Sequence, residues 1–302
     1  MYSLVYRFYF FLKRLEKKNN GLNGIAKKAL VYSEWYFNVF WVKLIKRLTP
    51  KKSGLNQKPR EEEIVISLTS FPKRIDTVWI AVETLLRQRM KPDRIILWLA
   101  EEQFEGIDSL PAILLAQQQR GLEIRFCDDL RSHKKYFYSM QEYPGALVIL
   151  ADDDIFYTKD LVKKLVYLHQ RNPHEIVCMS VAMISEFDEV PSNWSPPKYN
   201  AEICHSEKAQ AYTGAGALFP PGSIDRKYAF REDLIRKLSP YADDLWLKYM
   251  AMRRHTNTTA IYPNRFMPVM IDGTASSGLW YINGPDGQND VQWKKIRDFF
   301  EE

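Results

Sequence analysis

The run LVILADDDIFY, residues 147–157, constrains this chain more than any other stretch. Val148, Ile149 and Leu150 leave no polar side to turn toward water, so a strand here must be covered on both faces. That points to the interior of an α/β sheet flanked by helices. The strand ends abruptly in Asp152, Asp153 and Asp154. Three adjacent carboxylates repel one another and call for a cation. In open α/β sheets the carboxyl edge of the strands is where ligands bind, because loops there vary while the strands hold them rigidly. Asp152 and Asp154, at alternate positions, can share one hard cation; equally, one can hold a metal while the other accepts hydrogen bonds from a ribose. The competing reading is a solvated acidic turn that caps a helix over 158–168. A buried strand immediately before the acids argues against it.

The surrounding pattern agrees with a layered α/β protein. Strands are predicted over 64–68, 94–99, 122–127 and 146–151, and helices over 75–89, 110–120, 133–143 and 159–171. This alternation means βαβ units and a mostly parallel sheet. Beyond them the sequence predicts a strand over 176–184, a proline-containing loop over 185–207, and a glycine-rich TGAGALFPPG segment at 213–222. A helical DDLWLK segment and a final helix from Val291 follow. With 46% hydrophobic residues, 302 residues suffice for a large core. Cys127, Cys178 and Cys204 are odd in number and lack metal-ligand spacing, which argues for a reducing compartment and against a disulfide scaffold or zinc finger.

Charge is unevenly spread. Residues 1–60 carry 14 Lys or Arg against two acids, a balance of +12, whereas the remainder carries 29 against 35, a balance of −6. The basic part is also aromatic. YSLVYRFYFFL, residues 2–12, is too short to span a bilayer and has no small-residue cleavage site, so neither a membrane span nor a secretory leader is expected. Residues 25–48 set Trp35, Tyr36, Phe37, Phe40, Trp41 and Val42 among Lys27, Lys28, Lys43, Lys46 and Arg47. This composition suits a helix in the headgroup region of a membrane, and the alternative is that these rings pack on the main domain. Residues 49–60 read as a linker, so the expected division is an N-terminal segment over 1–60 and a main domain over 61–302.

Several motifs in order carry a resemblance: ISLTSFPKRI (66–75), the 95–99 strand followed by Glu102, Gln103 and Phe104, DLRSHKKY (129–136), DDDIFY, TGAG and DDLWLK. In that sequence they resemble the nucleotide-sugar-dependent glycosyltransferases of the Rossmann-like GT-A fold, in particular bacterial family-2-like enzymes of capsule and lipopolysaccharide assembly. The resemblance spans roughly residues 63–290. It implies a nucleotide-binding half over 61–158 and an acceptor-binding half over 159–302. It also implies that Thr69, Ser70, Phe71 and Arg74 line a nucleotide pocket, that Asp129 lies near the base or ribose, and that Lys134 or Lys135 reaches the diphosphate. Asp152 and Asp153 would contact the ribose and Asp154, with Asp152 beside it, would ligate Mn2+ or Mg2+. Asp243 and Asp244 match an acidic pair at a helix start, although the family's usual Glu-Asp is here Asp-Asp. Asp244 would take the acceptor proton, giving inversion. Gly214, Ala215 and Gly216 would let an acceptor approach the backbone, and Trp246 would stack on a sugar.

The resulting expectation is a metal-dependent glycosyltransferase using a nucleoside diphosphate sugar, UDP by preference, and a saccharide or lipid-linked acceptor. It would sit peripherally on the cytoplasmic face of a membrane and would not bind nucleic acid. Two other classes compete with it. A nucleotidyltransferase also uses paired acids and a metal but attacks the α-phosphate. A non-enzymatic lipid or nucleic-acid binder would act through the basic N-terminus alone. The five histidines form no HExxH or HxxxH spacing, and neither GxxxxGK[ST] nor GxGxxG occurs, which disfavours zinc hydrolases, P-loop NTPases and dehydrogenases.

Overall fold

The computed structural model describes residues 2–18, 24–48, 52–184, 204–261, 268–274 and 287–301. The chain opens with α1 (Tyr2–Lys18), α2 (Gly24–Trp35), a π-helical turn (Tyr36–Trp41) and α3 (Val42–Arg47). Then the expected alternation begins: β1 (Ile64–Thr69), α4 (Val78–Leu86), β2 (Arg94–Ala100), α5 (Ala112–Leu115), β3 (Leu122–Cys127), α6 (Lys134–Glu142) and β4 (Leu147–Leu150). These four strands lie in the order β3-β2-β1-β4, all parallel. The parallel order carries the carboxyl ends of β1, β3 and β4, with the loops that follow them, to one edge.

Alternation of side chains explains why β4 is apolar throughout. Leu147 and Ile149 enter the core beneath α4, while Val148 and Leu150 enter a second core on the α6 side. Both faces are dry.

The second half is more irregular. It comprises β5 (Ile155–Phe156), α7 (Leu161–Arg171), β6 (Ile176–Cys178), β7 (Val181–Met183), β8 (Cys204–Ser206), β9 (Ala209–Ala211) and β10 (Ala217–Phe219). After these come α8 (Arg226–Ala229), α9 (Glu232–Leu238), α10 (Asp243–Met252), β11 (Thr258–Ala260), β12 (Val269–Met270) and α11 (Gln288–Glu301). The central sheet has eight strands in the order β3-β2-β1-β4-β10-β6-β11-β8. It is the mostly parallel, helix-flanked Rossmann-like sheet that the sequence predicts. Two of its features were not legible beforehand. Ala217–Phe219, inside the glycine-rich segment, forms a central strand antiparallel to both β4 and β6. The single strand predicted over 176–184 is instead two: β6 stays in the main sheet, whereas β7 leaves to pair with β9. The loop expected at 185–207 falls outside the described residues as far as residue 203.

The aromatic N-terminus divides between its two expected fates. Phe37, Trp41 and Ile45, with Tyr6, Tyr9, Leu12 and Leu30, are buried in the core beneath β4. The rings of Phe37 and Trp41 lie 5.6 and 5.7 Å from that of Phe156. Trp35 and Phe40 remain exposed.

Candidate active site

Loops after β1 and β4 and the start of α10 converge on one cluster of charge. Asp153, in the turn after β4, turns inward: its carboxylate accepts from Ser70 Oγ and from Arg74 Nη1, each at 2.6 Å. Arg74 Nη1 also lies 2.9 Å from Asp154 Oδ2, and Arg74 Nη2 donates to the Thr274 carbonyl at 3.0 Å. One buried guanidinium therefore serves two adjacent acids. Burial and repulsion from Asp152 and Asp153 push the Asp154 carboxyl up to about 7 in spite of Arg74.

Asp152 faces the other way, with its side chain 39% exposed. Lys135 Nζ donates to it at 2.7 Å and to Asp243 Oδ2 at 2.9 Å. This ammonium is itself almost wholly buried, in the first turn of α6. It links the acids at the end of β4 to the acidic pair at the start of α10. Burial opposes the charge of Asp243, but the Lys135 ammonium together with His133 and side-chain hydrogen bonds outweighs it and holds that carboxyl below its usual range. Asp244 goes the opposite way: burial and the neighbouring Asp243 push it up to about 7. Thr213 holds Asp244 by its hydroxyl and, at 3.3 Å, by its backbone N–H. Among the described residues, four of these carboxylates thus pair with two cations, Arg74 and Lys135, and the fifth, Asp244, is held by Thr213. The two acids raised to about 7 are those that burial and neighbouring acids most disfavour as anions.

The glycine-rich segment is shaped by the same acids. A Cβ at Gly214 would fall inside the Asp152 carboxylate, so only glycine lets the backbone pass there. Tyr157 fixes the approach, its hydroxyl accepting from Asp152 N and donating to the Gly214 carbonyl, both at 2.6 Å. Sequence reading missed Tyr157; its signal is its place five residues after Asp152 in the same motif. It also took Thr213 only as part of a loop that lets an acceptor approach the backbone, whereas the hydroxyl is a partner of Asp244.

The other expected site residues separate into groups. Thr69 ends β1 with its hydroxyl on the Trp98 carbonyl at 2.8 Å, and Phe71 lies under the Arg74 guanidinium at 5.6 Å; both are partly exposed at the same edge. Ser70 and Arg74 point to the acids rather than outward, so they support the cluster and do not line a pocket themselves. Asp153 is likewise closed off from a ribose, being 4% exposed with both oxygens used. Asp129, after β3, accepts from Gln103 at 3.0 Å and from Arg131 N at 2.8 Å, and is paired with Lys134. That pairing turns Lys134 away from the acids of β4, and of the two lysines only Lys135 reaches them. Ala215 and Gly216 are buried next to Gly214. Trp246 needs correction: it is fully buried, its indole N–H donates to the Ala229 carbonyl at 3.1 Å, and no face remains for a sugar.

The donor chemistry suits a hard divalent cation. Carboxylate oxygens such as those of Asp152 and Asp154 are the right type. Among the described residues no group of three or more His, Cys, Asp or Glu side chains is disposed to hold a metal.

Fold and site together define an α/β protein whose sheet edge gathers paired acids round buried cations. No family model matches the chain, and no curated protein is significantly similar to it. Among solved structures it is similar to the mannosyltransferase PcManGT from Pyrobaculum calidifontis in complex with GDP-Man and Mn2+. That likeness has 13% identity and a TM-score of 0.46, over 91% of this chain and 74% of the other. It is also similar to a CMP:2-keto-3-deoxy-manno-octonic acid synthetase complexed with CTP, with 11% identity and a TM-score of 0.45 over 75% of this chain and 99% of the other. Likenesses this remote decide nothing about chemistry, which rests on the side chains themselves.

Proposed function

We propose that the chain is a metal-dependent, inverting glycosyltransferase that moves a sugar from a nucleoside diphosphate, UDP by preference, to a saccharide or lipid-linked acceptor. The observation that carries this reading is the Lys135 bridge, which joins the donor-side acids to the pair at the start of α10 in one cluster. A nucleotidyltransferase needs the first set; glycosyl transfer also needs a base beside it. Asp244, raised to about 7, is basic enough to take a hydroxyl proton.

In this mechanism Asp152 and Asp154 would hold Mn2+ or Mg2+, which would supply positive charge to the diphosphate leaving group. Asp153, locked by Ser70 and Arg74, keeps the loop rigid. Asp244 removes the acceptor proton as the acceptor oxygen bonds to the anomeric carbon and the bond from that carbon to the phosphate oxygen breaks. Thr213 orients Asp244, and Lys135 keeps Asp243 ionised beside it. Resemblance adds a setting in bacterial surface polysaccharide assembly, on the cytoplasmic face.

The test is a thermal-shift panel of nucleotides and nucleotide sugars with and without Mn2+, followed by product analysis. A Mn2+-dependent rise with a nucleoside diphosphate sugar, and release of the nucleoside diphosphate, support the reading. Pyrophosphate release would replace it with nucleotidyl transfer. Asp154→Ala should abolish turnover and metal-dependent donor binding, whereas Asp244→Asn should bind donor and fail to transfer.

A further inference from the structure

The N-terminal helices carry a second apolar surface that the core does not use. In α1, Tyr6, Tyr9 and Leu12 face inward, while Leu4, Phe8 and Phe11, spaced i, i+4, i+7, line another side and are 72%, 47% and 55% exposed. In α2, Leu30 and Ser33 are buried, whereas Val31, Tyr32 and Trp35 are exposed by 57%, 70% and 52%. Single exposed apolar residues are ordinary; two adjacent helices that both turn such a stripe outward are not.

Charge decides what covers it. Lys27 and Lys28 on α2, and Lys43, Lys46 and Arg47 on the following α3, are all exposed. The segment's two acids, Glu16 and Glu34, both face Lys13, at 3.2 and 3.9 Å. Against a second copy, the same face would set one +12 segment against another. An anionic bilayer satisfies both features: the apolar side chains leave water at the acyl boundary while the lysines meet headgroup phosphates. Among the described residues no helix is long and apolar enough to cross a membrane, so such an element lies on the surface.

We infer that the outward face of α1 and α2 is a docking surface for an anionic lipid bilayer. The attachment is mechanically continuous with the acids. Tyr6 donates to the Phe156 carbonyl at 2.6 Å, Asn38 donates to Met270 O at 3.2 Å, and Asp272 N donates to Asn38 at 2.9 Å. Ile271 N in turn donates to the Asp154 carbonyl at 2.8 Å. Docking therefore fixes the acid loop relative to the bilayer. That consequence rests on the proposed function; the binding itself does not.

Flotation of the full chain with vesicles tests the inference. At low salt the protein should float with phosphatidylcholine vesicles containing about one third phosphatidylglycerol, and stay behind with phosphatidylcholine alone. Lys27→Gln/Lys28→Gln should lose roughly fivefold in partitioning per lysine. Phe8→Ser/Phe11→Ser should lose on the order of twentyfold, with an unchanged melting temperature because these rings are outside the core. The inference is overturned if the wild type fails to float, floats equally with both vesicles, or floats unchanged in the Phe8/Phe11 variant. It is equally overturned if sedimentation shows a dimer that this variant dissociates and no lipid binding. Donor-dependent thermal stabilisation, measured on the same samples, reports on the acid cluster alone and separates its failure from failure of the surface.

Discussion

Replacing Lys135 by methionine probes the cluster most directly. The side chain keeps its apolar stem but loses the ammonium that meets Asp152 at 2.7 Å and Asp243 at 2.9 Å. The two acids then differ. Asp152, 39% exposed, can rehydrate; Asp243, with its side chain 9% exposed, cannot. Only one carboxylate bears the full penalty of a buried unpaired charge, so the loss falls near the lower end of about 3–5 kcal/mol for breaking a buried pair. Spread over the unfolding entropy of a chain this long, about 3 kcal/mol lowers the melting temperature by roughly 5 °C. The pH dependence has a definite sign. Without Lys135 the folded-state pKa of Asp243 rises above its unfolded value, so the defect is absent at acid pH, where the group is protonated in both states, and grows as pH rises. Urea unfolding of wild type, Lys135→Met and Lys135→Met/Asp243→Asn at pH 4.5 and 7.5 reads this out. The double variant, which leaves no buried orphan charge, should recover most of the loss. A loss below about 1 kcal/mol, one that does not depend on pH, or no recovery in the double variant would refute the reasoning.

Three further outcomes follow from the same geometry. His133 is buried with Nε2 2.7 Å from the Ser239 carbonyl, and burial lowers its pKa to about 4 from an ordinary 6.5. The unfolded state takes up that proton first, so stability should fall by up to about 3 kcal/mol as pH drops through this window; an unchanged unfolding free energy between pH 6.5 and 4.5 in wild type relative to His133→Gln would contradict it. Gly214→Ala places a methyl group in the Asp152 carboxylate and should cost about 1–3 kcal/mol together with most donor-dependent stabilisation; wild-type donor binding in that variant would show that the close approach is unimportant. If Asp244 is the base, kcat/KM falls tenfold per unit as pH drops below its pKa, about 7 in the free protein, and that limb should vanish from the residual activity of Asp244→Asn.

How much of this was legible beforehand differs by element. The βαβ alternation and the edge on which the acids lie follow from local pattern: apolar runs of strand length, helices of the right length between them, and a strand that stays apolar because both of its faces are covered. The acids at 152–154 were legible for the same reason, as charges placed after a strand, whereas those at 243–244 stood out only through the resemblance of DDLWLK to an acidic pair at a helix start. Ala217–Phe219 was not, because three residues among glycines carry no period. It becomes a central strand only because β4 and β6 stand on either side with unpaired backbone groups.

Composition and pattern by themselves determined a helix-flanked sheet, a carboxylate cluster at its carboxyl edge and a basic, aromatic N-terminus. Tertiary structure decided the direction of each side chain. It turned Asp153 inward to Arg74, sent Lys134 to Asp129 and Lys135 to Asp152 and Asp243, and put Trp246 into the core. It also split the N-terminal rings between the interior and the solvent. The physical reason is separation along the chain: the Arg74–Asp153 and Lys135–Asp243 pairs join residues far apart in sequence, and such pairings depend on the register of elements that no local window contains.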